Sequence, residues 1–145
     1  MSSRNKPPEP KIFTLEEANG VLPAVRAILR SLRSRRHEIG GIEGKKAVEE
    51  LSWLREDGTV SPRAREEVAR LDELLRQGRE ALDEALGRLV ATGAHLKDMD
   101  EGLVDFLAER DGELVCLCWK DGEERIGYWH DLESGFAGRK PIGEM

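Results

Sequence analysis

The sequence predicts an α+β protein in which a long antiparallel helical hairpin, similar to a coiled coil, precedes a three-stranded antiparallel β-meander. Apolar residues recur at three- and four-residue spacing through the first two thirds of the chain, which is typical of amphipathic helices. Strand-like runs separated by two Asp-Gly dipeptides occupy residues 102–142. A charged fraction of 36% and an aromatic fraction of 5% favour a helical, well-solvated protein over an all-β one.

The chain length of 145 residues suits one domain with one core. Residues 1–12 are polar and Pro-rich, and we expect them to form a flexible arm. Residues 13–145 should form the domain. Within it, residues 13–92 are expected to contain the hairpin with a short intervening helix, and residues 93–145 the meander and a C-terminal tail.

The first helix should begin after Thr14, because Thr14 and Glu17 have the spacing of a capping box. An apolar stripe follows over residues 15–32. Pro23 interrupts it, since proline lacks a backbone N–H and disfavours helix at the residue before it. We therefore expect a short first helix, then a kink or break, and then a longer helix to about His37.

The second helix should begin at Ser61-Pro62, with serine as the cap and proline at the first helical position. Three glycines at positions 40, 41 and 44 and a weak helical stretch over residues 45–54 come before it. The helix should continue to about Ala91 with heptad spacing. Additional apolar residues widen its stripe, namely Leu74, Ala81, Leu86 and Val90. Either a homodimer formed through the helices or the chain's own sheet and short helices would cover this surplus.

The dipeptides Asp111-Gly112 and Asp121-Gly122 favour two-residue hairpin turns, which set the register of the meander. Arg110 then faces Glu113, and Lys120 faces Glu123. One face of the sheet becomes almost wholly apolar and should pack on the helices. The other face is mixed, so the C-terminal segment, a partner chain or a ligand should cover part of it. Its members are Leu103, Asp105, Leu107, Glu109, Leu114, Cys116, Cys118, Lys120, Glu123, Arg125, Gly127 and Trp129.

The mixed face contains a predicted row of Asp105, Cys118 and Arg125. This row is either a half-buried ion pair or an anion-binding arginine that Asp105 orients. Cys116 shares the face with Cys118, but no second pair of ligands completes a structural zinc site, which favours small buried hydrophobes. Two cysteines this close do not form a disulfide framework, so a reducing compartment is expected.

His130 is expected at the end of the third strand, opposite Glu113 and off the mixed face. Arg110 is expected beside it, and Asp98 and Asp100, which lie just before the first strand, are the carboxylates that could approach it. A histidine with two or three carboxylates can bind Fe, Mn or Zn, although carboxylates also commonly form hydrogen bonds with a histidine at a strand end without any metal. His130 and Asp98 are therefore the candidate metal ligands, and apart from this divalent metal no cofactor is expected.

The segment from Gly135 to Lys140 is Gly-rich and contains Arg139, which with backbone N–H groups could hold an anion or a carboxylate. The alternative is a tail that wraps the sheet. The candidate ligand- or anion-binding residues of the sequence are therefore Arg139, Arg125, Asp105, Trp129, Trp119 and Glu123.

The net charge of −6 argues against nucleic acid as a partner. Residues 1–46 contain ten basic and five acidic residues, whereas residues 47–145 contain thirteen and twenty-four, so the two parts should attract each other within a chain or between copies. No signal peptide and no apolar run of membrane-spanning length is visible, and we expect a cytoplasmic protein. The nucleophile elbow, the dinucleotide fingerprint and the HExxH motif are also absent.

Four sequence motifs together resemble an uncharacterised prokaryotic family, domain of unknown function 2203. They are FTLEEANGVLP at residues 13–23, LKDMDEGLVDF at 96–106, LCWKDGE at 117–123 and YWHDLESGFAGRKPI at 128–142. The resemblance implies no established activity. It singles out Asp98, Asp105, Trp119, Glu123, Trp129, His130, Gly135 and Arg139 as motif positions.

Two functional hypotheses follow from these observations. The first is a non-enzymatic cytoplasmic interaction module that self-associates through its helices. The second is a small metal-dependent enzyme or a metal- or anion-binding protein. Its site would join His130 with Asp98 or Asp105, and Arg139 would hold an anionic substrate.

Overall fold

A computed structural model describes residues 10–53 and 57–143. The chain divides into two units, which we call the sheet unit and the helical unit. Of the described residues, the sheet unit contains 10–29 and 89–143, and the helical unit contains 30–53 and 57–88. Residues 1–9 of the expected flexible arm lie outside the described residues. Among the described residues, no helix is both long and apolar enough to span a membrane.

Helix α1 extends over Leu15–Leu51 without interruption, so the expected break at Pro23 and the separate short helix are wrong. The capping box is confirmed, because Thr14 N–H donates to Glu17 Oε1 and Glu17 N–H donates to Thr14 Oγ1, each at 3.0 Å. Proline costs a helix about 3 kcal/mol relative to alanine. Leu22, Val25 and Leu29 are buried around it, and each such side chain contributes about 1.5–3 kcal/mol. Burial therefore outweighs the penalty.

Helix α2 extends over Pro62–Ala91, as the sequence predicts. Ala64 N–H donates to the hydroxyl of Ser61 at 3.4 Å, which confirms the N-cap. Within the helical unit the two helices pack together: Ile39 lies against Gly78, and Lys46 Nζ lies 2.7 Å from Asp72 Oδ1. The widening residues of α2 are half-buried at Leu74, Ala81 and Leu86 and exposed at Val90.

The sheet is an antiparallel meander of five strands, whereas the sequence predicts three. Its two edge strands are short, and neither has the apolar alternation that identifies a strand in sequence. The strands in order are β1 His95–Asp98, β2 Leu103–Arg110, β3 Glu113–Lys120, β4 Tyr128–Asp131 and β5 Lys140–Pro141.

The β2–β3 register is confirmed, with Arg110 opposite Glu113 and Asp105 opposite Cys118. Asp111 and Gly112 have φ values of 53° and 81°, as a two-residue type I′ turn requires. One face of the sheet is therefore the predicted core, and Val104, Phe106 and Trp119 have no exposure to solvent.

The β3–β4 register differs from the prediction by three residues, because residues 121–127 form a longer connection instead of a two-residue turn. His130 lies opposite Cys116, and the predicted pair of His130 with Glu113 is wrong. Helix α1 holds the connection: Ile126 N–H donates to Asn19 Oδ1 at 2.9 Å, and Arg26 donates to the carbonyl of Glu123 at 3.0 Å.

A shift by an odd number of residues moves every side chain of β4 to the other face of the sheet. His130 therefore lies on the mixed face, and Trp129 leaves it for the face of Leu117. Arg125 lies exposed in the connection, so the predicted Asp105–Cys118–Arg125 row does not form.

Candidate metal centre

Three neighbouring strands bring three chemically different side chains together on the mixed face. Asp105 comes from β2, Cys116 from β3 and His130 from β4. All three side chains are buried. A carboxylate oxygen, the Cys116 sulfur and a His130 ring nitrogen all lie within 4.8 Å of one another. We call these three residues the metal triad.

The imidazole of His130 is held at both nitrogens. Nδ1 lies 2.6 Å from the carbonyl oxygen of Asp131, and because a carbonyl only accepts, Nδ1 must donate its N–H there. Nε2 lies 3.0 Å from Asp105 Oδ2, and a hydrogen bond at this distance needs one proton between the two atoms. Nε2 is therefore the atom that faces the other members of the triad.

Both cysteines of the mixed face are protonated thiols at neutral pH. Burial raises the pKa of Cys116 to about 11, and the charges of Asp105 and Asp131 raise it further, against a lowering by Lys97. Burial and then the charge of Asp105 raise the pKa of Cys118 to about 12. A nucleophilic cysteine needs a lowered pKa, so this arrangement does not favour Cys–His nucleophilic catalysis.

A cavity of about 330 Å³ adjoins the metal triad. The chain segment after β4 forms one wall of it, so of the three covers that the sequence leaves open, the C-terminal segment is the one that the structure shows beside this part of the mixed face. Outside the triad, the cavity is lined by Lys97, Asp98, Leu103, Cys118, Leu132, Glu133, Gly135 and Phe136.

This segment is held by its own hydrogen bonds. Asp131 Oδ1 accepts from the backbone N–H of Glu133 at 3.0 Å and of Ser134 at 2.7 Å, which lowers the pKa of the Asp131 carboxyl. A one-turn 3₁₀-helix follows at Phe136–Gly138. Hydrogen bonds within the segment therefore shape this wall of the cavity.

The structure places Asp98 at the cavity and leaves it outside the metal triad. Its Oδ1 accepts a hydrogen bond from Glu101 N–H at 2.9 Å. Asp105, and not Asp98, is therefore the aspartate beside His130, whereas the sequence leaves both possible.

Arg139 is already engaged by other groups of the protein. Its guanidinium forms an ion pair with Glu123 and lies 3.7 Å from the centre of the Tyr128 ring and 4.8 Å from that of Phe136. Glu123 Oε1 also accepts from Lys120 N–H at 2.7 Å. These contacts fasten the C-terminal segment to the sheet and favour a tail clasp over an anion site.

The two candidate tryptophans lie away from the metal triad. Trp119 is part of the core, and its Nε1–H donates to the carbonyl of Glu123 at 2.9 Å. Trp129 lies on the opposite face from His130, where Arg110 and Lys140 approach its ring at 4.3 and 5.2 Å. Neither indole contributes to a site with His130.

Sequence reasoning named His130 and Asp105 but set Cys116 aside as a buried hydrophobe. No ligand spacing in the chain signals this set, because its members are eleven and fourteen positions apart on separate strands. Only the β3–β4 register brings Cys116 beside His130, and long-range contacts to α1 determine that register.

The family model of DUF2203, described as an uncharacterized conserved protein, matches residues 11–142. This match confirms the resemblance that the four motifs indicate; the prokaryotic origin stays a prediction. No curated protein and no solved structure matches the chain significantly.

Proposed function

The chain belongs to the DUF2203 family, and we propose that it is a metal-binding protein that holds one divalent transition-metal ion, zinc above all, in its metal triad. The observation that supports this proposal is the convergence of three buried donor atoms, from three strands, within 4.8 Å of one another. A cation bound to all three donors would balance the negative charge of the buried carboxylate and thiolate.

The chemistry of the donors favours zinc over the alkaline-earth ions. A thiolate, an imidazole and a carboxylate are the three ligand types that zinc accepts in proteins. Mg²⁺ and Ca²⁺ instead take oxygen ligands throughout. Three protein ligands leave the fourth position of a tetrahedral ion for water or another small molecule, as in catalytic rather than structural zinc sites.

The separation of His130 Nε2 from Asp105 Oδ2 suits a tetrahedral ion after a small adjustment, and the Cys116 sulfur, within 4.8 Å of both residues' donor atoms, would move closer to them. Zinc bonds of about 2.0 Å to oxygen and nitrogen and about 2.3 Å to sulfur place ligand atoms roughly 3.3–3.5 Å apart. The atoms Nε2 of His130 and Oδ2 of Asp105 are 3.0 Å apart and would separate by a few tenths of an ångström. Side-chain rotation on paired strands can supply this movement.

The second coordination shell is already arranged. A metal-bound histidine generally donates its other N–H to a carbonyl or carboxylate, and His130 Nδ1 has this partner in the Asp131 carbonyl. Cys118 lies directly opposite Asp105 on the neighbouring strand and lines the same cavity. Bound Zn²⁺, the Cys116 thiolate and the Asp105 carboxylate also sum to no net charge, which limits the cost of burying the ion.

Cobalt(II) provides the direct test. Chelator-treated protein should bind one Co²⁺ per chain and develop a thiolate charge-transfer band together with the visible bands of tetrahedral cobalt. Cys116→Ser should abolish the charge-transfer band, and His130→Ala should abolish tight binding. Two control variants should keep both signals: Cys118→Ser, which changes the cysteine outside the metal triad, and His37→Ala, which removes an exposed histidine of α1. Protein that stays folded and shows no such bands would overturn the proposal.

Self-association through the helices is the second candidate function. In the helical unit, Val48 and Leu51 of α1 are 66% and 86% exposed, which is unusual for two apolar side chains less than one turn apart. A second copy of the chain would cover them. Light scattering should then give the mass of a dimer for the native protein and of a monomer for the Val48→Ser/Leu51→Ser double variant. A native protein that remains monomeric at high concentration would refute this candidate.

A further inference from the structure

We infer that the metal ion of the triad presents its fourth coordination position to the cavity, and that this cavity takes a small molecule in which one metal-binding donor is attached to an apolar group. The inference rests on the proposed metal site and adds the class of ligand.

The direction of the open position follows from the geometry of the sheet. All three ligands project from one face of three adjacent strands. An ion bound to them therefore has the sheet on one side, and its fourth coordination position faces away from the sheet. The cavity of about 330 Å³ lies on this same face, between the strands and the segment that follows β4. A fourth ligand therefore enters from the cavity and meets the ion without crossing the core.

The lining of the cavity supplies an apolar contact surface beside the metal triad. Leu103, Leu132 and Phe136 line it, and the last two are 56% and 40% exposed. Large apolar side chains that remain exposed at a cavity mouth are typical of surfaces that a ligand covers. A phenyl or alkyl group on the ligand would remove them from water.

Size and charge narrow the ligand class further. The volume is near the lower limit of small-molecule pockets, which suits a compact molecule and excludes a dinucleotide. The rim contains one basic residue, Lys97, and two acidic residues, Asp98 and Glu133, so it does not attract polyanions. A monocarboxylate with one aromatic ring satisfies both conditions.

Two carboxylates that share the same donor group test the inference on the cobalt-loaded protein. Acetate and phenylacetate should both shift the visible cobalt bands, and phenylacetate should bind at least ten-fold more tightly. Phe136→Ala should reduce this preference to less than about three-fold and leave cobalt affinity unchanged. The control Leu114→Ala removes a side chain of similar exposure, 45%, from the mixed face of the sheet but outside the cavity. It should change neither cobalt affinity nor the preference for phenylacetate.

The outcomes separate this inference from the metal site itself. Cobalt bands that form normally but respond equally to both carboxylates, or to neither, would overturn the ligand assignment and leave the metal site intact. A preference for phenylacetate that survives Phe136→Ala would also overturn it. Absence of the cobalt bands would overturn the metal site and the ligand assignment together.

Discussion

Zinc binding to the metal triad should release at least one proton per ion, from the thiol of Cys116. Burial raises the pKa of this thiol to about 11 and keeps it protonated throughout the neutral range. Proton and metal thus compete for the same sulfur atom.

The magnitude follows from this count. One displaced proton changes the apparent association constant about ten-fold per pH unit, or about 1.4 kcal/mol. The sign is set by release: affinity for zinc rises as pH rises, and it falls on acidification. Between pH 6.5 and 7.5 the apparent dissociation constant should therefore decrease by at least about ten-fold.

Isothermal titration calorimetry provides the assay. The observed enthalpy of Zn²⁺ binding is measured at one pH in buffers with different ionisation enthalpies, and the magnitude of its slope against the ionisation enthalpy equals the number of protons released. We expect a magnitude of at least one for the native protein and for the control Cys118→Ser. A slope near zero would refute the reasoning, because the thiol proton would then not be displaced.

Three further predictions concern the stability of the metal-free protein, each measured by urea denaturation. Asp105→Ala should lower the free energy of unfolding by about 1–3 kcal/mol, because it leaves the buried Nε2 of His130 without its partner; an unchanged midpoint would contradict this. Gly41→Ala should raise the free energy of unfolding by about 0.5–1 kcal/mol, because alanine favours the helix and no atom lies within 4 Å of the added carbon. Gly93→Ala should lower the free energy of unfolding, because Gly93 has a φ of 89° and faces an aromatic ring. Equal effects at the two glycines would refute that explanation. Pro23→Ala should raise the free energy by about 1–3 kcal/mol by restoring an N–H within a continuous helix, and a loss of stability would show that proline is required there.

The features that local sequence could predict are those that depend on neighbouring residues. The capping box at Thr14 and Glu17, the start of α2 at Ser61 and the turn at Asp111-Gly112 each involve residues at most three positions apart. The length of α1 was predicted wrongly because a local penalty at Pro23 competes with burial, and burial depends on the whole fold.

The register of β4 could not be predicted because distant residues determine it. Gly122 has a φ of 105°, but Asp121 does not adopt the positive φ of a type I′ turn. Residues 123–126 instead bond to Asn19 and Arg26, about a hundred positions earlier. That change of three positions turned His130 from an isolated strand-end residue into a neighbour of Cys116. A candidate histidine was therefore recognisable in sequence, and its partners were not.

X-ray absorption spectroscopy of the zinc-loaded protein tests the central claim most directly. The account predicts a zinc ion with one sulfur neighbour at about 2.3 Å and three oxygen or nitrogen neighbours at about 2.0 Å, with an imidazole among them. The sulfur shell should disappear in Cys116→Ser and persist in Cys118→Ser. Two results for the native protein would contradict the account. One is a zinc ion whose neighbours are only oxygen and nitrogen atoms, and the other is a zinc ion surrounded by water molecules alone.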